Sequence, residues 1–129
     1  MAVGTLANIK VDPVAGTFTA KYTADATAAA CSVFCGFTPR LVKITQIGGT
    51  LTNPVQSIFH ESMTAANAIT IGPTGAAALI TAAGVTLLAG TEASPSAKAT
   101  NSPESSGAGF TISTGVTGNS LVYLIEATR

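Results

Sequence analysis

The chain has 129 residues, enough for one domain with its own core. Six basic and six acidic side chains cancel, and charged residues make up only 9% of the whole. Such a balance excludes the electrostatic footprint of a nucleic-acid binder or an anionic-membrane binder, and it excludes a solvated, charge-rich disordered tail. Soluble monomers carry about 25% charge, so a chain this poor in charge points to a surface covered by partners. Hydrophobic residues reach 47%, but aromatics are 5% and Trp is absent, so the apolar content is mostly small.

The opening MAVGTLANIKVD has neither a basic start nor a long apolar core, so no targeting segment is expected. Within it TLANIKV alternates weakly. GTFTAKYTA alternates well, with Phe18, Ala20 and Tyr22 on one face and Thr17, Thr19 and Lys21 on the other. DATAAA (25–30) is Ala-rich and could make a single helical turn. RLVKITQIG is a strand with two semi-apolar faces: Val42, Ile44 and Gln46 against Leu41, Lys43, Thr45 and Ile47. QSIFHESM places Phe59 and Glu61 opposite Ile58 and His60. NAITIG and GVTLLAG are short strands ended by glycine, and GAAALITAA (75–83) is a second candidate helical turn. The apolar run 75–90 is shorter than the roughly 20 residues a membrane helix needs.

TEASPSAKATNSPESSGAG (91–109) is a long polar loop. GFTIST and SLVYLIEAT, joined by GVTGNS, read as a closing hairpin with a turn at Gly118-Asn119. The expected fold is all-β: a single-domain sandwich or small barrel, jelly-roll-like, of about eight short strands.

Cys31 and Cys35 are four apart, about 13 Å along a strand, too far for a disulfide without a bend. Two thiols and one histidine do not fill a metal site. The pair is expected to be reduced and partly buried, which suits assembly in a reducing cytoplasm.

Catalytic signatures are missing. There is no phosphate-binding glycine loop and no nucleophile elbow, and GAGF (107–110) lacks the dinucleotide pattern. His60, the one histidine, stands beside Glu61 with Ser57 and Ser62 near. Adjacent strand residues point to opposite faces, so His60 and Glu61 are not expected to touch. Irregular Thr spacing argues against an ice-binding face, and the scarcity of aromatics argues against a sugar platform.

CGFTPRLVKITQI (35–47) is similar to a G-F-x-P-x-x-V-K-V/I strand entry, and SIFHESM follows it like an E-x-M segment. AAGVTLLAG precedes the variable loop, and GFTISTGVTGNSLVYLIEATR looks like the closing element with a basic C-terminus. Together these stretches resemble small virion structural proteins of tailed bacteriophages, some of which are capsid decoration, or cement, proteins. The resemblance covers residues 17–129; it departs from the pattern in lacking a Trp in the central strand and in carrying two cysteines. It implies a non-enzymatic protein that binds the major capsid protein on the outer surface of the virion as a homotrimer, is made in the host cytoplasm, and has no cofactor and no nucleic-acid or membrane partner. Interface residues are expected among Phe37, Pro39, Arg40, Phe59, His60 and Glu61. Residues 1–16, outside the resemblance, are expected to be an arm on a β domain of 17–129, and either this arm or the 91–109 loop would reach a neighbour's sheet. The alternatives are a tail, neck or fibre-associated adhesion component and, from a different class, a small hydrolase using His60.

Overall fold

Strand alternation in this chain is resolved into one dry face and one wet face. In β2 (Thr17–Thr23), Phe18, Ala20 and Tyr22 are buried while Thr17, Lys21 and Thr23 are exposed. In β4 (Leu41–Gly48), Val42, Ile44 and Gln46 are buried, and in β10 (Val122–Thr128) Tyr123, Ile125 and Ala127 are. The computed structural model of the chain describes residues 3–92 and 95–129.

The other strands are β1 (Thr5–Asp12), β3 (Cys31–Val33), β5 (Gln56–His60), β6 (Ala68–Ile71), β7 (Ala77–Ile80), β8 (Val85–Leu88) and β9 (Gly109–Ile112). They form a seven-stranded sheet in the order β1-β2-β10-β4-β5-β6-β7 and a three-stranded sheet in the order β3-β9-β8. Pairing is antiparallel throughout both sheets. The chain is therefore all-β, with ten strands in two open sheets among the described residues. Of the two closures expected, it adopts the sandwich and not the barrel.

The sheets meet over a core of Phe18, Tyr22, Val33, Val42, Ile44, Phe59, Phe110, Ile112 and Ile125, all at most 2% exposed. Phe18 and Phe110 pack edge to face, 6.1 Å between centroids, and so join β2 to β9 across the sandwich. Three strands cannot cover seven. Loop 113–121 covers part of what remains, with Val116 and Thr117 buried and Gly115 N–H donating to the Ala83 carbonyl at 2.8 Å.

Four sequence expectations are corrected. The closing hairpin is absent, because β9 belongs to the small sheet and β10 to the large one, with loop 113–121 carrying the chain between layers. Neither Ala-rich segment is helical: 77–80 is strand β7, and 26–30 precedes β3 without regular structure. Among the described residues there is no helix, hence none long and apolar enough to cross a membrane.

The third correction concerns the arm. Residues 5–12 are strand β1, paired along β2, with Leu6 fully buried. Alternation is weak there because Asn8 takes a left-handed conformation (φ 52°) and the register slips between Ala7 and Lys10. The bulge turns Ile9 back toward the core on which Leu6 sits.

The fourth concerns the 91–109 loop, whose residues 93 and 94 lie outside the described set. Its second half is a fastener rather than an arm. Ser32 N–H donates to Ala97 O, and Ala99 N–H donates to Ser32 O. Leu6 N–H then donates to Thr100 O, and Thr100 N–H donates to Gly4 O. Residues 97–100 thus bridge the β3 edge of one sheet to the β1 edge of the other, with Ala99 completely buried.

Candidate interaction surface

Chain 35–40 turns sharply into β4. Gly36 supplies the left-handed backbone this turn needs (φ 88°), and the Cys35 thiol donates to the Phe37 carbonyl at 3.2 Å. Thr38 Oγ1 donates to the Leu88 carbonyl, and Arg40 N–H to the Thr128 carbonyl. The turn tucks Phe37 and Pro39 inside. Arg129 closes over the Phe37 ring with its guanidinium carbon 5.4 Å from the centroid, while its Nη1 and Nη2 donate to Val14 O and Pro13 O.

The six expected interface residues therefore divide. Phe37, Pro39 and Phe59 are buried within the chain's own fold. Arg40, His60 and Glu61 are exposed and adjacent, at the paired ends of β4 and β5. Arg40 Nε donates to Glu61 Oε1 at 2.6 Å. His60 Nδ1 accepts the Ser62 N–H at 3.2 Å and lies 2.8 Å from Ser62 Oγ. An Nδ1 that accepts a main-chain N–H leaves the proton of the neutral ring on Nε2. Glu61, in the turn just past the end of β5, is turned to Arg40 and not to the ring.

Cys31 and Cys35 are both free and both fully buried, deeper than expected. Burial pushes both thiols above their ordinary value. Among the described residues no cluster of three or more His, Cys, Asp or Glu is placed to hold a metal ion.

A shallow cleft of about 230 Å³ lies between Phe34, Leu88, Pro95 and Gly107. Its one acid, Glu92, is engaged locally: the N–H groups of Ala89, Gly90 and Thr91 donate to it. The Gly90 N–H leads in holding this carboxyl below its ordinary value.

The outer face of the seven-stranded sheet is larger than the cleft and different in kind. Register sets its side chains in cross-strand rows. One row runs Thr19, Glu126, Lys43, Ile58, Ile69, Leu79. The next runs Lys21, Leu124, Thr45, Gln56, Ile71, Ala77. Charge gathers at the β2-β10-β4 side, and from β5 to β7 these two rows carry only apolar side chains and one amide. Ile69 is 41% exposed and Leu79 60%. Ile47, 54% exposed, continues the outward side of β4 beyond Lys43 and Thr45, beside the register slip between β4 and β10.

Two semi-apolar faces on β4 are legible in the sequence; the alignment of β5, β6 and β7 beside it is set by register and is not. Compared with protein families, with curated proteins and with solved structures, the chain gives no match.

Proposed function

We propose that this chain is a bacteriophage virion structural protein, a capsid decoration protein that binds the assembled shell as a homotrimer. Two lines support the reading. One is the resemblance of segments 35–47, 57–63 and 109–129 to small virion proteins. The other, which carries it, is the apolar outer face on which Ile69 and Leu79 are exposed and Ile58 and Ile71 partly exposed.

A protein of this kind works by mass action. It binds assembled subunits and not separated ones, so it shifts the equilibrium toward the intact shell. Copies held in register multiply weak contacts into a lasting one. An apolar, charge-poor surface suits that role, because it needs no long-range steering and gives up little charge hydration on contact.

The test is co-sedimentation with isolated phage heads and, separately, with tails. Saturable binding to heads in multiples of three, lost in Ile69→Glu with the fold intact, is the expected result. Binding to tails or host cells alone would transfer the protein to the adhesion class. Head binding that survives both Ile58→Glu and Ile69→Glu would remove the outer face as the contact.

A further inference from the structure

The seven-stranded sheet ends in two edges, and they are treated differently. The β1 edge receives the Thr100 main chain. Among the described residues, the β7 edge has no main-chain partner beyond β6. Its hydrogen-bond parity can be read from its neighbours. Gly72 N–H donates to Ala76 O, and the Ile71 carbonyl accepts from Val55 on the β5 side. Antiparallel alternation then pairs Thr70 with Ala78 and Ala68 with Ile80. The main-chain groups of Ala77 and Leu79 point away from β6, toward solvent.

Natural edges are protected by charge, proline, bulges or covering segments. Here the stretch AAALITAAG (76–84) has no charge and no proline, and the β6–β7 register runs without a slip. Ala77, Ala78 and Leu79 are exposed on both faces of the sheet, because the small sheet does not reach this far. An open row of main-chain donors and acceptors specifies its occupant chemically: it takes another extended strand.

We propose that this edge pairs with the same edge of a second copy of the chain, antiparallel, about a two-fold axis through Ala78. The edge is self-complementary. Ala77 meets Leu79 of the second copy and Leu79 meets its Ala77, both as reciprocally hydrogen-bonded pairs. Ala78 meets Ala78 in the close, non-bonded position, where the two methyl groups pack side by side without a clash. Because the strand is uncharged, no like-charge repulsion opposes its own copy. The pairing also extends the outer apolar row, so that Ile58, Ile69 and Leu79 run on into Ala77 and Ile71 of the second copy. A four-residue edge buries far less than the roughly 1,200 Å² of a stable interface. The contact is therefore weak in dilute solution and gains strength where copies are held close together. It does not depend on which surface the outer face binds.

The experiment uses the full chain with Ala78→Cys. Opposed residues in a non-bonded antiparallel pair have Cα atoms about 4.5 Å apart, within disulfide reach. Cys31 and Cys35 are buried and do not compete. Under mild oxidation Ala78→Cys should form covalent dimers at least about tenfold faster than Thr74→Cys, an exposed control in the adjoining turn. Adding Leu79→Lys should remove that advantage, since it sets a charge on the paired edge. Equal rates for Ala78→Cys and Thr74→Cys would overturn the proposal, and so would an advantage that survives Leu79→Lys.

Discussion

The Tyr22 hydroxyl lies 3.1 Å from the Cys31 sulfur, in full burial, and joins β2 of the large sheet to β3 of the small one. Burial raises the Tyr22 hydroxyl far above its ordinary value, and the neighbouring Cys31 raises it further. Burial likewise raises Cys31 and Cys35. All three are acids that the fold keeps protonated. The unfolded chain releases the thiol protons near their ordinary value of 9.0, and the native chain does not. Stability from these groups is thus complete below that pH and is lost as pH climbs above it. Urea midpoints should be level between pH 7 and 8 and should fall steadily above pH 9. In Cys35→Ala the fall should be shallower, because one proton fewer separates the two states. A midpoint unchanged up to pH 10.5 would contradict the assignment. Tyr22→Phe, at pH 7, should lower stability by about 1 kcal/mol with the denaturant slope unchanged.

Gly109 opens β9 opposite β3, and a Cβ there would collide with the Val33 carbonyl oxygen and crowd Phe34 Cα at 2.9 Å. The obstacle is backbone on a buried strand, so it cannot step aside as a flexible side chain would. Gly109→Ala should therefore destabilise by at least about 2 kcal/mol, despite alanine's lower chain entropy in the unfolded state. Gly75→Ala is the comparison: its φ of 85° strains any side chain, yet nothing stands within 4 Å. Thermal melts of the two should rank Gly109→Ala well below Gly75→Ala, and the reverse order would show that β3 and β9 can separate.

What could be read from residues alone depended on how local the signal was. Strands β2 and β4 were legible, faces included, because Phe18-Ala20-Tyr22 and Val42-Ile44-Gln46 repeat with period two and each dry face is buried. Strand β1 was hidden by a single residue, since the bulge at Asn8 breaks the period that would have announced it. The β9–β10 hairpin failed for another reason. Turn residues in GVTGNS mark a change of direction, but nothing local says that the chain changes sheet. Of the candidate residues, only the exposure of the polar ones was legible. Arg40, His60 and Glu61 are polar and fell on the surface, but Phe37 and Phe59 could serve a core or an interface equally well by type. Their burial is decided by distant partners; Phe37 is capped by Arg129, the last residue of the chain.

The paired state of β1 has its own consequence. Leu6 is completely buried against the core, and its N–H holds Thr100. Leu6→Ala should cost about 2–5 kcal/mol, the range for a leucine removed from a packed core. Val14, in the β1–β2 turn and 90% exposed, should tolerate alanine within about 0.5 kcal/mol. A free arm would show no such contrast. Equal urea midpoints for the two variants would return residues 1–16 to that role.

Ser57 presents the opposite case, a buried group whose loss should help. It faces inward on β5, between Ile44 of β4 and Thr70 of β6, and is 1% exposed. Among the described residues its hydroxyl has no hydrogen-bond partner. The nearby buried polar side chains are already engaged: Gln46 Nε2 donates to Gly48 O and Thr50 O, and Thr70 Oγ1 donates to Ala78 O. A hydroxyl kept from water without a partner costs about 1–3 kcal/mol. Ser57→Ala removes that cost and leaves only a small void, so the net effect should be a gain of about 1 kcal/mol, measured as a higher urea midpoint. Ser57→Val adds volume beside Ile44 in a packed layer and should give back most of the gain. If Ser57→Ala is instead destabilising by a similar amount, the hydroxyl has a partner in solution, and an ordered water between β4 and β6 becomes the account to pursue.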